Sequence, residues 1–324
     1  MTEKTARQIE NLKNQTIGVE VEMNSISREK AAGIAADYFG TGRFQDTARR
    51  NGYMTWSAWD AQGREWKFQR DVSIAGPDSE KCELVTPILR YEDIETLQEL
   101  CRRLRRAGAK SDASRGCGVH IHIGANGHTP QTLRNLANIM ASHEELQVDA
   151  LGLDRTSVRY GHYCQPVNPH FLSLLNRRRP TTMADLADVW YRGNGANYGR
   201  TQHYNESRYH MLNLHPGMAY TLGSRDHAKP TVEFRLFQFR DPHDGRQGGI
   251  DAREMRAYIH LCLGMSELAK ELTYASPKPQ QTENEAYAFR CWMLRLGFIG
   301  DEFAKTREVL LANMDGNCAW RSAC

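Results

Sequence analysis

No stretch of this 324-residue chain approaches the roughly 18 consecutive apolar residues that a membrane-spanning helix needs. Residues 1–14 are polar and hold no apolar centre of the kind a secretory leader carries. The expectation is a soluble, cytoplasmic protein without a membrane partner. A strong charge of one sign is also missing. The 42 Lys and Arg residues against 39 Asp and Glu residues leave a net charge of +3, which does not suggest a nucleic-acid partner. No Cys-x-x-Cys pair occurs among Cys82, Cys101, Cys117, Cys164, Cys262, Cys291, Cys318 and Cys324. A chain of this length needs no disulfide staples, so free thiols are expected, with Cys101 and Cys262 facing the core. No Gly-x-x-x-x-Gly-Lys-Ser/Thr loop is present, which excludes a P-loop nucleotide site. There is no evident Ser-His-Asp or Cys-His triad, no internal repeat and no low-complexity linker.

What is present begins with strands. Residues 16–24 alternate apolar and polar and predict a strand. Ser27 caps a predicted helix to about Phe39, before Gly40 and Gly42. Residues 53–60 and 65–71 predict a hairpin, and 82–86 a short strand ended by Pro87. Tyr91 to Ala107 has helical apolar spacing. Residues 118–124 predict a strand, and Pro130 opens a helix to about Leu151. Residues 152–208 are poorly periodic apart from a short helix near 182–191, as functional loops often are. Strands follow at 209–215 and 231–239, then helices near 249–274, 282–296 and 301–314. Residues 1–14 read as a frayed or weakly helical end. Strands early and helices late argue for an α+β fold with a mostly antiparallel sheet. A domain at 15–275 with a helical extension at 276–324 packed on it is the expected organisation.

Several predicted strands carry chemistry on one face and apolar residues on the other. Residues two apart on a strand share a face. Glu20 and Glu22 therefore lie together, backed by Ile17, Val19, Val21 and Met23. Such a carboxylate pair repels itself unless a cation, a basic group or water compensates, so the pair alone also fits a solvated strand face. His120 and His122 share a face backed by Val119, Ile121 and Ile123. They suit either a metal or a phosphate, or a pair of hydrogen-bonded strand histidines. The flanking Gly116, Gly118 and Gly124 permit a sharp turn or a close approach. Glu233 and Arg235 alternate with Val232, Phe234 and Leu236. They fit a metal ligand beside an anion-binding guanidinium, or an ordinary ion pair. Asp71 precedes Glu83, an acid inside the short apolar strand Cys82-Glu83-Leu84-Val85. Arg208 and Asn213 are candidate substrate or phosphate contacts of unlike parity. The arginines at 102, 103, 105 and 106 sit on the polar face of an amphipathic helix and read as solvated. Arg192 to Arg200, rich in Gly and Asn, could serve as a lid.

Taken in order, Gly-Val-Glu-x-Glu, Asp-x-Ser with Glu-x-Val-Thr-Pro, Gly-Val-His-x-His and Val-Glu-Phe-Arg-Leu-Phe resemble the amidoligase family. That family is a branch of the glutamine synthetase-like carboxylate-amine ligases. The resemblance covers roughly residues 16–265. It implies a curved antiparallel sheet of the glutamine synthetase catalytic type with outer helices. It also implies ATP and two or three magnesium ions, with manganese as a substitute. By motif, Glu20 and Glu22 each hold a cation. Glu83 joins Glu22, while His120 and Glu233 join Glu20. His122 and Arg235 face the ATP phosphates. The chain departs from the family pattern at Gln238-Phe239-Arg240-Asp241-Pro242.

The expected activity is an ATP- and magnesium-dependent ligase that joins a carboxylate to an amine through an acyl phosphate. Arg235, Asp71 and Arg208 are the candidate catalytic residues. His122, Arg235 and Asn213 are the candidate nucleotide contacts. Glu20, Glu22, Glu83, His120 and Glu233 are the candidate metal ligands. The acid and amine could each be a small molecule, a peptide end or a protein side chain. The C-terminal helices could pack between copies in a homo-oligomer. A metal-dependent hydrolase and a non-catalytic binding module on the same fold are the competing readings.

Overall fold

The computed structural model describes residues 2–48, 52–227, 230–241, 248–279 and 281–319. The helices are α1 (Glu3–Lys13), α2 (Arg28–Tyr38), α3 (Ile94–Arg106), α4 (Pro130–Ser142), α5 (Glu144–Leu151), α6 (Pro169–Arg178), α7 (Met183–Gly193), α8 (His215–Thr221), α9 (Ala252–Glu271), α10 (Glu285–Arg295) and α11 (Ala304–Leu311). The strands are β1 (Ile17–Met23), β2 (Phe44–Asp46), β3 (Trp56–Trp59), β4 (Glu65–Gln69), β5 (Cys82–Val85), β6 (Val119–Gly124), β7 (Leu212–Asn213) and β8 (Thr231–Phe237). The fold is α+β, and the β1–β5, β2–β3, β3–β4, β4–β5 and β7–β8 pairs are antiparallel. Among the described residues no helix is long and apolar enough to cross a membrane.

The chain divides into two compact units. One, rich in strands, comprises Thr16–Ile121 and Phe237–Arg256. Its strand order is β2-β3-β4-β5-β1-β6. Ser27 accepts from the Lys30 amide and starts α2, whose small buried face of Ala31, Ala32, Ala35 and Ala36 permits close packing. α3 buries Leu97, Leu100, Cys101 and Leu104. Its arginines are not all simply solvated. Arg105 Nη1 donates to the Ile250 carbonyl at 2.7 Å and Nη2 to the Gly248 carbonyl at 3.2 Å. Gln238 and Phe239 are buried, and Asp241 accepts from the Ser114 amide at 3.1 Å. Pro242 lies outside the described residues.

The other unit comprises Met1–Gln15, His122–Leu236 and Ala257–Cys324. Here β6 continues into the order β6-β8-β7. The N-terminal segment is a capped helix and not a frayed end. Thr2 accepts from the Thr5 amide, Ile9 and Leu12 are buried, and Gln8 Nε2 donates to the Arg295 carbonyl at 2.8 Å. The long helix expected from Pro130 breaks at His143, whose φ of −119° and ψ of 15° leave the helical region. The His143 ring stacks on Trp292 at 4.2 Å, which favours the break. The irregular stretch hides α6, capped by Asn168 and packed through Phe171, Leu174 and Leu175. The strand expected at 209–215 reduces to two residues, because Pro216 opens α8. Cys82, Cys101, Cys117, Cys164 and Cys262 are buried free thiols, Cys291 and Cys318 are free and half-buried, and Cys324 lies outside the described residues.

Gly193 ends α7 against α6, where a Cβ would meet Phe171 Cα at 2.6 Å. Gly193→Ala is expected to lose about 1–3 kcal/mol in urea denaturation through overpacking. Gly161→Ala, where a Cβ meets nothing within 4 Å, should stay within about 0.5 kcal/mol of the parent. Equal stability of the two variants would contradict the packing.

Candidate active site

In the strand-rich unit the acids converge through strand register. Glu22 on β1 lies opposite Glu83 on β5, and Glu83 lies opposite Gln69 on β4. The apolar backs of these strands are buried as the alternation requires, with Val19, Val21, Leu84, Val119 and Ile121 at 0–1% exposure. The acidic face is buried as well. Glu22 and Glu83 are 5% exposed and His120 is 6% exposed. A solvated strand face is therefore ruled out for these residues.

His120 Nδ1 lies 3.0 Å from Glu20 Oε2, and its Nε2 lies 3.9 Å from Glu22 Oε1. The Gly118 amide donates to Glu22 Oε2 at 2.6 Å, and Gln69 Nε2 donates to Glu83 Oε2 at 2.8 Å. Burial holds the Glu83 carboxyl well above the ordinary glutamate range. The nearby charges of Glu20, Glu22 and Asp71 push it the same way, against the Gln69 hydrogen bond.

Asp71 reaches this group from the loop after β4. Its Oδ1 accepts from the Ser73 amide at 2.6 Å and the Ser73 hydroxyl at 2.5 Å. Gly116 makes room for the loop. Its φ is +69°, and a Cβ there would sit 3.0 Å from the Ser73 carbonyl oxygen. The close approach that Gly116 permits is thus to the chain itself. The Ala75 amide donates to the Arg115 carbonyl at 2.9 Å, and Asn24 Nδ2 to the Ala75 carbonyl at 3.0 Å.

Two ligand groups result. Glu20, Glu83 and His120 offer atoms within 4.8 Å of one another, and so do Glu22, Asp71 and Glu83. Carboxylates with one imidazole suit a hard divalent cation such as magnesium or manganese. Positive charge beside Glu83 would relieve the crowding that raises its carboxyl.

The second unit holds the other predicted residues. Glu233 and Arg235 are 2% and 5% exposed, and Arg235 Nη1 donates to Glu233 Oε1 at 2.5 Å. Asn213 lies opposite Glu233 in register and donates to its Oε2 at 2.5 Å. The different parity of Arg208 and Asn213 is irrelevant, because Arg208 ends a short 3-10 turn and not a strand. His122 Nδ1 lies 3.2 Å from Thr231 Oγ1. Arg159 escaped notice in the sequence. It starts a five-residue π-helical turn and donates from Nη2 to the Arg235 carbonyl at 2.7 Å. A lone arginine in an aperiodic stretch gives no signal of that contact.

The sequence model of the family described as an amidoligase enzyme matches residues 13–266. The chain belongs to the amidoligase family. A structure comparison aligns this chain with the crystal structure of a bifunctional glutathione synthetase from Pasteurella multocida. The alignment has 13% identity and a TM-score of 0.46, over 96% of this chain and 48% of that one. The chain thus spans about half the length of that protein. A comparison with curated proteins returned no match.

The buried Glu83 carboxyl sets a pH dependence for the metal-free protein. The folded-state pKa of Glu83 lies above its ordinary 4.5. Its contribution to stability is therefore full below 4.5 and is lost as the pH rises through the folded value. In EDTA, thermal melts of the parent should fall from pH 5 to pH 8 more steeply than those of Glu83→Gln. Magnesium should restore the parent at pH 8 and leave Glu83→Gln less affected. Parallel pH profiles would remove the charge crowding as the cause.

Proposed function

We propose that this amidoligase couples ATP cleavage to amide-bond formation between a carboxylic acid and an amine, with magnesium as its cation. The observation that supports the reading most is the acidic face, buried at Glu22, Glu83 and His120 and half-buried at Glu20 and Asp71. These five side chains, from three strands and one loop, present ligand atoms in two overlapping groups. A family of amide-forming ligases needs charge neutralisation of this kind around polyphosphate. The fold is read as the glutamine synthetase catalytic type over residues 15–275, with the 276–324 helices as an extension. We place the protein in the cytoplasm and leave room for a homo-oligomer.

Glu20, Glu83 and His120 would hold one divalent cation, and Glu22 and Glu83 another, with Asp71 beside them. Glu233 keeps the cation-ligand role that its motif implies. Bound cations would neutralise phosphate oxygens and favour in-line phosphoryl transfer. The protein's own groups do the rest. Arg235, oriented by Glu233, stabilises the charge that builds on the transferred phosphoryl group. His122 and Asn213 orient the nucleotide phosphates. The substrate carboxylate oxygen attacks the terminal phosphorus and ADP leaves, giving an acyl phosphate. The amine nitrogen then attacks the acyl carbon, phosphate leaves, and the nitrogen loses a proton. Asp71 stands at the acidic face and takes that proton, and Arg208 contacts an oxyanion of the reactants. No protein nucleophile is needed.

Incubation with ATP, magnesium and a panel of acids and amines should give amine-dependent ADP release. Glu20→Gln and Glu233→Gln should each lower that release by about 100-fold or more. Full turnover by both variants would sink the site assignment. ATP-independent hydrolysis with zinc or manganese would favour a hydrolase instead.

A further inference from the structure

Within residues 203–227, His203, His215, His227 and Arg208 gather near Glu233, and the ligase reading gives these histidines no part. Their contacts form a chain. Asn213 bonds Glu233, and the His215 amide donates to Asn213 Oδ1 at 2.8 Å. The His215 ring meets His227 edge-on, with centroids 5.2 Å apart. His227 stacks on His203 at 5.7 Å. Arg208 Nη1 donates to the His203 carbonyl at 3.4 Å, and its guanidinium lies 5.2 Å from the Tyr204 ring centroid.

His215 is fully engaged within the fold. Its Nδ1 lies 2.8 Å from Tyr191 Oη, and its Nε2 lies 2.9 Å from the Gln202 carbonyl oxygen. Burial holds it down at about 4. It is a structural histidine. The far end of the chain differs. Arg208 Nε and His227 Nε2 are buried and have no hydrogen-bond partner among the described residues. An arginine Nε–H can only donate, so only an acceptor satisfies it. Burial, with His203 and Arg208 nearby, lowers His227 and favours its neutral ring, which offers one N–H. A buried donor without an acceptor costs free energy, and its presence in a fold asks for a ligand or an ordered water. Beside a guanidinium, an anion bonds more strongly than water.

We propose that Arg208 and His227 form an oxyanion subsite near Glu233, which receives a carboxylate or phosphoryl group of the reactants. Which reactant supplies that group rests on the ligase reading, while the subsite itself does not.

The test follows the histidine ring nitrogens of the full chain by NMR while inorganic phosphate or glutarate is added without magnesium, with His227→Phe to assign the signal. A saturable shift of His227 is expected. Arg208→Gln should weaken it about tenfold, and Arg208→Lys, which keeps the charge but lacks Nε, should recover only part. A response to phosphate alone assigns the subsite to the nucleotide. A response to glutarate alone assigns it to the acid. No saturable shift up to about 50 mM of either anion overturns the proposal. So does a shift that Arg208→Gln and Arg208→Lys leave unchanged. If Arg208→Gln melts early, the Arg208→Lys comparison decides. Anion binding without amine-dependent ADP release would fail the ligase reading and keep the subsite.

Discussion

The charge crowding at Glu22 and Glu83 is the constraint on which the strand-rich unit turns. Antiparallel register sets these two acids opposite each other, and Glu20, Asp71 and His120 complete the ring. Burial and the charges of Glu20, Glu22 and Asp71 raise the Glu83 carboxyl, so the crowding calls for a counter-charge. Proton uptake or a cation must supply it. The fold tolerates the strain because the opposite face of every participating strand is packed with apolar side chains. Burial of Val19, Val21, Leu84, Val119 and Ile121 outweighs the polar cost and holds the ligand atoms in place.

Small features of the chain serve that arrangement. Gly116 lets the Asp71 loop run against the entry to β6, and the Gly118 amide reaches the Glu22 carboxylate. Ser73 occupies one oxygen of Asp71 and so aims the other. In the second unit the same economy recurs. Asn213 and Arg235 engage opposite oxygens of Glu233, and Arg159 secures the backbone of Arg235 where the two-residue β7 is too short to continue the ladder. Each carboxylate is positioned by short, directional hydrogen bonds, which is what a site that handles charge requires.

Much of this was legible beforehand, and for a definite reason. Strand alternation has a period of two, so Glu-x-Glu, His-x-His and Glu-x-Arg announce shared faces from spacing alone. Ser27 and Pro130 marked real helix starts because capping and N1 chemistry are local. Other elements were hidden because they depend on distant partners. α1 is ordered by contact with Arg295, α5 is separated from α4 where His143 meets Trp292, and α6 gains its core face only against α7.

The sequence by itself determined the α+β class, the family motifs and the identity of nearly every chemical group, since these follow from local periodicity and residue type. Taken alone, Glu20-Val21-Glu22 fitted a wetted strand edge better than a cation site. Only tertiary structure decided that the acidic face is buried, that Asp71 joins Glu22 and Glu83, and that Arg159 braces Arg235. Those facts arise from register between strands and from loops crossing between elements distant in sequence. Spacing along one segment carries no record of either.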